Sequence, residues 1–232
     1  MKHYALIEEP DSEAISSLGA QHIQAGRISY RETGKRILDF TLAALAVPPT
    51  LVIVLLIAVV MVVSGDRGPI FFGHKRIGKN GKTFRCWKIR SMVTDAEKKL
   101  RAHLDANPEA AAEWERDHKL ENDPRITRFG AFLRATSLDE LPQLWNVLKG
   151  DMSLVGPRPI VRAEVRKYGC NKRDYFSVRP GVTGLWQISG RNDITYRQRV
   201  LLDVEYIQNI SMKLDLKVIL ATVGAVLNRT GK

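Results

Sequence analysis

The distribution of apolar and polar residues divides the chain into three parts. Residues 1–34 are polar and partly acidic, and we expect them to form a mobile leader without chemistry. No charged residue occurs between Asp39 and Asp66, a length that suffices for a bilayer core of roughly 30 Å. We therefore assign residues 35–64 to the membrane, and residues 65–232, where charges return, to a domain at the membrane surface.

Two adjacent prolines, Pro48 and Pro49, lie near the middle of the apolar segment. They remove two amide donors, and Pro49 disfavours the helical conformation at Pro48. Each remaining arm has about a dozen residues and spans about 18 Å, too little to cross the hydrocarbon. The sequence thus predicts a re-entrant helical hairpin broken at these prolines. A proline-kinked crossing helix and a buried helix of a soluble protein are the alternatives.

The charges on both flanks of the segment bear on its topology. Basic residues flank both ends, namely Lys35, Arg36, Arg67, Lys75, Arg76 and Lys79. Because basic residues favour the cytoplasmic side of a membrane, both ends are expected there, as a re-entrant hairpin requires.

The remaining periodicities predict an α+β fold that is mainly helical. Residues 69–92 have the pattern of a small β-hairpin around the turn "GKNG". Residues 94–121 predict charged helices interrupted at Asn107-Pro108, and residues 194–228 predict two amphipathic helices at the interface, separated near 209–211. Residues 151–190 are rich in turns.

Composition narrows the choice of partners. The net charge of +11 and the pI of about 9.8 favour an anionic partner: nucleic acid, anionic lipid or a phosphorylated small molecule. The basic β-hairpin with its aromatic residues could suggest nucleic acid, but beside a membrane segment we prefer lipid headgroups and phosphate ligands, and expect no nucleic acid. The two cysteines lie far apart without a metal-type spacing, which argues for a reducing compartment.

Adjacent carboxylates at Asp139 and Glu140 are the first candidates for chemistry. The structural alternative is a helix start, because Ser137-x-x-Glu140 matches a capping box. Pro142 fits best within the first turn of a helix, which makes Asp139 a second candidate for the N-cap. The functional interpretation is an ionised nucleophile at a helix N-terminus, where phosphate also binds.

Three arginines near turns strengthen the functional interpretation. Arg134 precedes the carboxylates, Arg158 lies between two prolines in "GPRP", and Arg191 follows a flexible Ser-Gly. Such arginines suit the diphosphate of an activated sugar, whose transfer depends on positioning and charge neutralisation.

Several ordered motifs resemble a known family. "KRILDF", the proline-broken apolar segment, "SLDELPQLWNVLKGDMSLVGPRP", "RPGVTGLWQISGRND" and "LDVEYIQNISMKLDLKVI" are similar to the bacterial monotopic phosphoglycosyl transferases, or bacterial sugar transferases. The resemblance runs from about Lys35 to Asn228. The finer similarity is to the galactose-phosphate transferases that initiate exopolysaccharide repeat units.

The resemblance implies a reaction. Such enzymes transfer a sugar 1-phosphate from a UDP-sugar, here UDP-galactose or UDP-glucose, to undecaprenyl phosphate at the cytoplasmic face of the bacterial membrane. By that resemblance Asp139 is the nucleophile that carries the phosphosugar while UMP leaves. Mg²⁺ is the implied cofactor, with Asp139 as its contact, and Glu140 would either move protons or place the metal.

The resemblance also assigns binding residues. Lys88, Arg134, Arg158 and Arg191 match basic positions that would contact phosphates or nucleotide, while Asp203 and Asp215 match acids for which we expect arginine partners. No residue identifies the sugar, and the oligomeric state is open, with a homodimer as one possibility.

Two departures from the family pattern are notable. Pro48-Pro49 stands where the family often has Ser-Pro, and the polar leader of this chain does not supply the N-terminal multi-helix domain of longer relatives, so we expect the minimal form. The rival hypotheses are a basic, membrane-attached binding protein and an inactive scaffold for polysaccharide assembly.

Overall fold

The computed structural model describes residues 30–66, 68–117, 120–189 and 194–227. Residues 1–29 of the predicted leader and Arg191 therefore lie outside the described residues. The described chain is mainly helical with two small two-stranded sheets, which confirms the predicted α+β class.

One long helix dominates the N-terminal part. A π-helical turn, Tyr30–Gly34, leads into α1, Lys35–Val63. Among the described residues, only this helix is long and apolar enough to cross a membrane. Pro48 and Pro49 both lie inside α1, so the predicted break into two separate helical arms is not confirmed. A helix can include proline if it bends, because a kink relieves the clash of the ring with the preceding turn and only a few hydrogen bonds are lost.

The other elements follow in chain order. The first sheet comprises β1, Phe71–Ile77, and β2, Thr83–Ile89. The helices that follow are α2 (Ala96–Ala106), α3 (Pro108–Asp117), α4 (Arg128–Ala135) and α5 (Gln143–Lys149). The C-terminal part contains β3 (Ser153–Val155), α6 (Lys172–Ser177), β4 (Gly181–Thr183), α7 (Leu185–Ile188), α8 (Tyr196–Gln208) and α9 (Met212–Leu227).

The β-hairpin agrees with the sequence prediction. β1 and β2 pair antiparallel around a short 3₁₀ turn, Lys79–Gly81. Asn80 adopts φ 58°, a left-handed conformation that Asn and Gly tolerate better than other residues, which explains the choice of "GKNG". The helix interruption before Pro108 and the division between α8 and α9 are also confirmed.

Both ends of α1 are attached to the rest of the protein. Near its N-terminus, Lys35 Nζ lies 2.7 Å from Asp215 Oδ2, and Asp39 accepts a hydrogen bond from the Leu154 amide at 3.0 Å. Beyond its C-terminus, Asp66 forms a 2.6 Å ion pair with Arg90, directly after β2. The apolar helix therefore begins and ends against the same body of structure.

The middle of α1 presents an apolar surface. Its exposed side chains include Leu45, Leu51, Val52, Leu55, Leu56, Val59 and Val62. Ala43 packs with Val147 and Met152, and Ile57 and Met61 pack with Ile89 and Leu133, so two patches of α1 contribute to the core. A helix that is apolar all round but largely uncovered is typical of a lipid-facing segment.

Candidate active site

The two adjacent carboxylates meet a lysine from the β-hairpin. Asp139 and Glu140 lie in a 3₁₀ turn, Leu138–Glu140, and Lys88 lies near the end of β2. Lys88 Nζ is 2.6 Å from Glu140 Oε1 and 3.5 Å from Asp139 Oδ2. Asp139 is only 6% exposed, whereas a third of the Glu140 side chain is accessible. The structure therefore brings together three of the predicted site residues.

The local backbone differs from the predicted helix start. Ser137 has φ 57° and makes no side-chain capping bond, and α5 begins only at Gln143 after Pro142. The capping-box interpretation is wrong, and so is the placement of Asp139 as an N-cap. The left-handed turn at Ser137 instead follows α4 closely, and the next residues lie beside Lys88 of β2.

Burial and charge act in opposite directions on this cluster. Burial raises the pKa of Asp139 above its ordinary value, Lys88 lowers it, Glu140 raises it again, and Arg134 lowers it. The expectation that a helix N-terminus keeps Asp139 ionised is therefore not confirmed; Lys88 and Arg134 favour the ionised form but offset the effect of burial only in part. Burial lowers the pKa of Lys88, but Glu140 and Asp139 outweigh that effect, so its pKa lies above the ordinary value.

Arg134 is held beside the carboxylates by Ser91. Its Nε donates to Ser91 Oγ at 2.8 Å, and its charge acts on Asp139. Gly130 makes this approach possible, because an added Cβ there would overlap the carbonyl oxygen of Ser91. The side chain of Arg134 remains exposed, so it can contact a ligand.

Asn146 fixes α5 against β2. Its side chain accepts a hydrogen bond from the Trp87 amide at 3.0 Å and donates to the Arg85 carbonyl at 2.7 Å. Asn146 is 1% exposed, so its buried amide needs these partners in place of water. These two bonds set the distance between Lys88 and the carboxylate turn.

Arg158 lies with a second group of cations. Its guanidinium carbon is 5.6 Å from the centre of the Trp186 ring, and Arg199 stacks on the same ring at 4.5 Å. Arg158, Lys88 and Glu140 all influence the pKa of Cys86, so the two groups of charges lie near the same residue of β2. Sequence analysis named Arg158 as a phosphate or nucleotide ligand, but it missed its neighbours Trp186 and Arg199, whose separation along the chain gives no local signal.

The remaining acids have structural roles. Asp215 accepts hydrogen bonds from Tyr30 and Tyr206, both at 2.7 Å, in addition to its pair with Lys35, so the arginine partner predicted for it is wrong. Asp203 accepts from Tyr168 Oη at 2.7 Å, while Arg199 and Arg158 act on it as nearby charges. Burial raises the pKa of Asp203 to about 7.

The donor set suits a magnesium ion that is shared with a ligand. Among the described residues no group of three or more His, Cys, Asp or Glu side chains could hold a metal. The buried Asp139 carboxylate with Glu140 beside it offers hard oxygen donors, and Mg²⁺ is commonly held by one or two carboxylates together with phosphates and water. The residues present therefore fit a metal completed by phosphate oxygens.

Comparison with known proteins shows the family of the chain. The model of the bacterial sugar transferase family matches residues 30–229. Over 73% of the chain, the sequence is 54% identical to an undecaprenyl-phosphate galactose phosphotransferase of Salmonella typhimurium, and over 78% it is 50% identical to a UDP-galactose-lipid carrier transferase of Erwinia amylovora. Over 83% of the chain it is 46% identical to the exopolysaccharide production protein ExoY of Sinorhizobium fredii.

These relatives differ in length. The matched region covers 36% of the Salmonella protein and 38% of the Erwinia protein, but 84% of ExoY. The chain thus spans well under half the length of the first two relatives and most of the third.

Proposed function

Because the chain belongs to the bacterial sugar transferase family, we propose that it transfers a sugar 1-phosphate from a UDP-sugar to undecaprenyl phosphate and so initiates an exopolysaccharide repeat unit. The relatives' names favour galactose or glucose as the sugar. The observation that carries the proposal is the buried carboxylate of Asp139, held beside Glu140, Lys88 and Arg134.

In the first step, a carboxylate oxygen of Asp139 attacks the β-phosphorus of the UDP-sugar. A bond forms between that oxygen and phosphorus, the bond to the bridging oxygen breaks, and UMP leaves with the electron pair. The product is a phosphosugar joined to Asp139. A covalent intermediate replaces one difficult displacement with two easier ones.

In the second step, a phosphate oxygen of undecaprenyl phosphate attacks the same phosphorus. The bond to Asp139 breaks, its carboxylate is regenerated, and the sugar leaves on a polyprenyl diphosphate. Both steps bring anions together, so neutralisation of charge is the main requirement.

The neighbouring residues meet that requirement. Lys88 and Arg134 favour the ionised form of Asp139 and offer positive charge to the transferred phosphate. Glu140, which holds Lys88 at 2.6 Å, orients that lysine between the two carboxylates. Mg²⁺ held by Asp139, with Glu140 beside it, would further neutralise the phosphate oxygens.

The membrane segment explains how two unlike substrates meet. The polyprenyl acceptor carries its phosphate at headgroup depth, whereas the sugar nucleotide is soluble. We propose that α1 enters one leaflet and returns, so that the site lies on the cytoplasmic face of the bacterial membrane. The attachment of both ends of α1 to one body, through Asp215 and Arg90, supports this topology.

Cysteine labelling tests the topology. Glu32→Cys and Ser64→Cys, each in a Cys170→Ser background, introduce single exposed thiols at the two ends of α1. In intact cells neither is expected to react with a membrane-impermeant maleimide, and both should react after permeabilisation. The parent's exposed Cys170 reports the side on which the folded domain lies. If the maleimide labelled only one of the two ends in intact cells, α1 would cross the membrane, which would contradict re-entry.

Product analysis tests the reaction. The protein in lipid nanodiscs, with undecaprenyl phosphate, Mg²⁺ and a panel of UDP-sugars, is expected to release UMP and to move the labelled sugar into the lipid fraction. Omission of the lipid phosphate should limit UMP to about one equivalent per enzyme. UDP as the leaving product would contradict the proposal, because it identifies a transferase that moves the sugar without its phosphate.

A further inference from the structure

A cluster of cations and aromatic rings extends the site away from Asp139. It comprises Arg76, Arg158, Trp186, Tyr196 and Arg199, and we call it the arginine–aromatic cluster. Arg199 stacks on Trp186 at 4.5 Å and on Tyr196 at 5.4 Å, and Arg158 stacks on Trp186 at 5.6 Å. These residues come from β1, the "GPRP" loop, α7 and α8, so the fold brings them together from four separate places.

Three buried donors in this cluster have no acceptor in the part of the chain that the structure describes. They are Trp186 Nε1, Tyr196 Oη and Arg199 Nε. Buried polar groups in proteins are nearly always hydrogen-bonded, and each exception requires an explanation. Tryptophan and arginine can only donate, so the missing partner is an acceptor. A ligand rich in oxygen atoms would satisfy all three.

The cluster also carries an excess of positive charge, because its three arginines have only Glu164 and Asp203 as acidic neighbours among the charges that act on them in the described part of the chain. Of its three arginines, only Arg76 takes part in an ion pair among the described residues, at 3.7 Å from Glu164 Oε2. Burial lowers the pKa of Arg76 and of Arg199, and the charge of Arg158 lowers both further. Three cations in mutual repulsion gain when an anion lies between them.

The strand register connects the cluster to the carboxylates. Lys88 pairs with Phe72, His74 with Cys86, and Arg76 with Phe84, so Lys88, His74 and Arg76 share one face of the β-hairpin. Four residues of strand separate the first and last of these pairs, about 13 Å. His74 lies between them and is itself in the field of Arg76 and Lys88. The face therefore forms a track with a cation at each end and His74 between them, whose pKa is lowered by burial and by these two charges.

We propose that the arginine–aromatic cluster binds the nucleoside 5′-phosphate half of the donor, with Arg76, Arg158 and Arg199 as ligands of its phosphate and Trp186 and Tyr196 as donors to its oxygen atoms. The inference rests on the proposed function for the identity of that nucleotide, UMP. It orients the donor along the track: the transferred phosphate lies at Lys88, the adjoining nucleotide phosphate is reached from the other end by the long arginine side chains of the cluster, and the nucleoside lies at Arg199.

Direct binding of UMP tests the assignment. Purified protein is titrated calorimetrically with UMP, without lipid acceptor or sugar. Arg199→Gln is expected to raise the Kd at least tenfold, and Trp186→Phe and Tyr196→Phe, which keep the rings and remove one donor each, several-fold. The control is Arg197→Gln, an exposed arginine on the same helix, which should change the Kd less than twofold.

Further measurements distinguish a loss of UMP binding from a loss of folding or of turnover. The unfolding temperature of each variant is recorded, and if Arg199→Gln does not fold, the two conservative phenylalanine variants decide. Asp139→Asn is expected to bind UMP like the parent, because it changes the other end of the track. In turnover, the cluster variants should raise the KM for the UDP-sugar more than they lower kcat.

The outcomes are distinct. Unchanged UMP affinity in all three cluster variants, or no UMP binding by the parent, overturns the assignment even where the parent releases UMP from UDP-sugars. Loss of UMP affinity in the variants supports the cluster as a nucleotide site. This holds even if the parent shows no turnover and the transferase reaction is thereby excluded.

Discussion

Asp139→Asn is expected to reduce UMP release from the UDP-sugar by at least about 10³-fold, because the amide lacks the nucleophilic oxygen that the first step requires. The replacement has nearly the same shape, so the buried position with 6% exposure remains filled. The measurement is the rate of UMP release in nanodiscs with saturating undecaprenyl phosphate and Mg²⁺.

The matched control is Asp105→Asn, which changes an exposed carboxylate on α2 in the same way. It should leave the rate unchanged. If Asp139→Asn retained more than a tenth of the parent rate with an unchanged unfolding temperature, Asp139 would not be the nucleophile.

Asp215→Ala is expected to destabilise the protein by about 3–5 kcal/mol, the usual cost of removing one member of a buried ion pair. The variant leaves Lys35, which is 8% exposed, without its partner at 2.7 Å. It also removes the acceptor of the Tyr30 and Tyr206 hydroxyls. The expected fall in unfolding temperature is roughly 6–20 °C for a domain of this size.

A double-mutant cycle distinguishes the stability lost with the ion pair from the stability lost through poorer packing. Lys35→Met with Asp215→Leu removes both charges, so it should recover much of the stability lost in either single variant. The control is Lys149→Met, which breaks a 3.5 Å pair with Asp151 in which the lysine side chain is 64% exposed, and which should cost at most about 1 kcal/mol. A loss in Asp215→Ala no larger than in Lys149→Met would contradict the anchoring role.

Local sequence signals predicted local structure well. The "GKNG" turn, the interruption before Pro108 and the division between α8 and α9 each depend on neighbouring residues, and each is confirmed. Ser137 is the exception, because a left-handed turn competes with a capping box for the same residues and only tertiary packing decides between them. Pro48 and Pro49 are a second exception to prediction from local sequence. A helix supported at both ends can include residues that would break an isolated helix.

Sequence analysis predicted the site residues only where a family motif and the chemistry of phosphate transfer pointed to the same positions. Asp139, Glu140, Lys88 and Arg134 do lie together, although the capping box explained the carboxylates equally well. The arginine–aromatic cluster was not predictable, because residues 76, 158, 186 and 199 come together only through the packing of a hairpin, a loop and two helices. The partners of Asp215 were missed for the same reason: they lie nine or more residues away.

The most direct test of the account is to trap the covalent intermediate. The protein is incubated with Mg²⁺ and UDP-sugar labelled in the sugar, without lipid acceptor, then quenched in acid, digested with trypsin and analysed by mass spectrometry. We predict a hexose-phosphate adduct on Asp139 within the tryptic peptide 135–149, and its discharge when undecaprenyl phosphate is added before the quench. Label that reaches the lipid without ever appearing on Asp139 would contradict the mechanism.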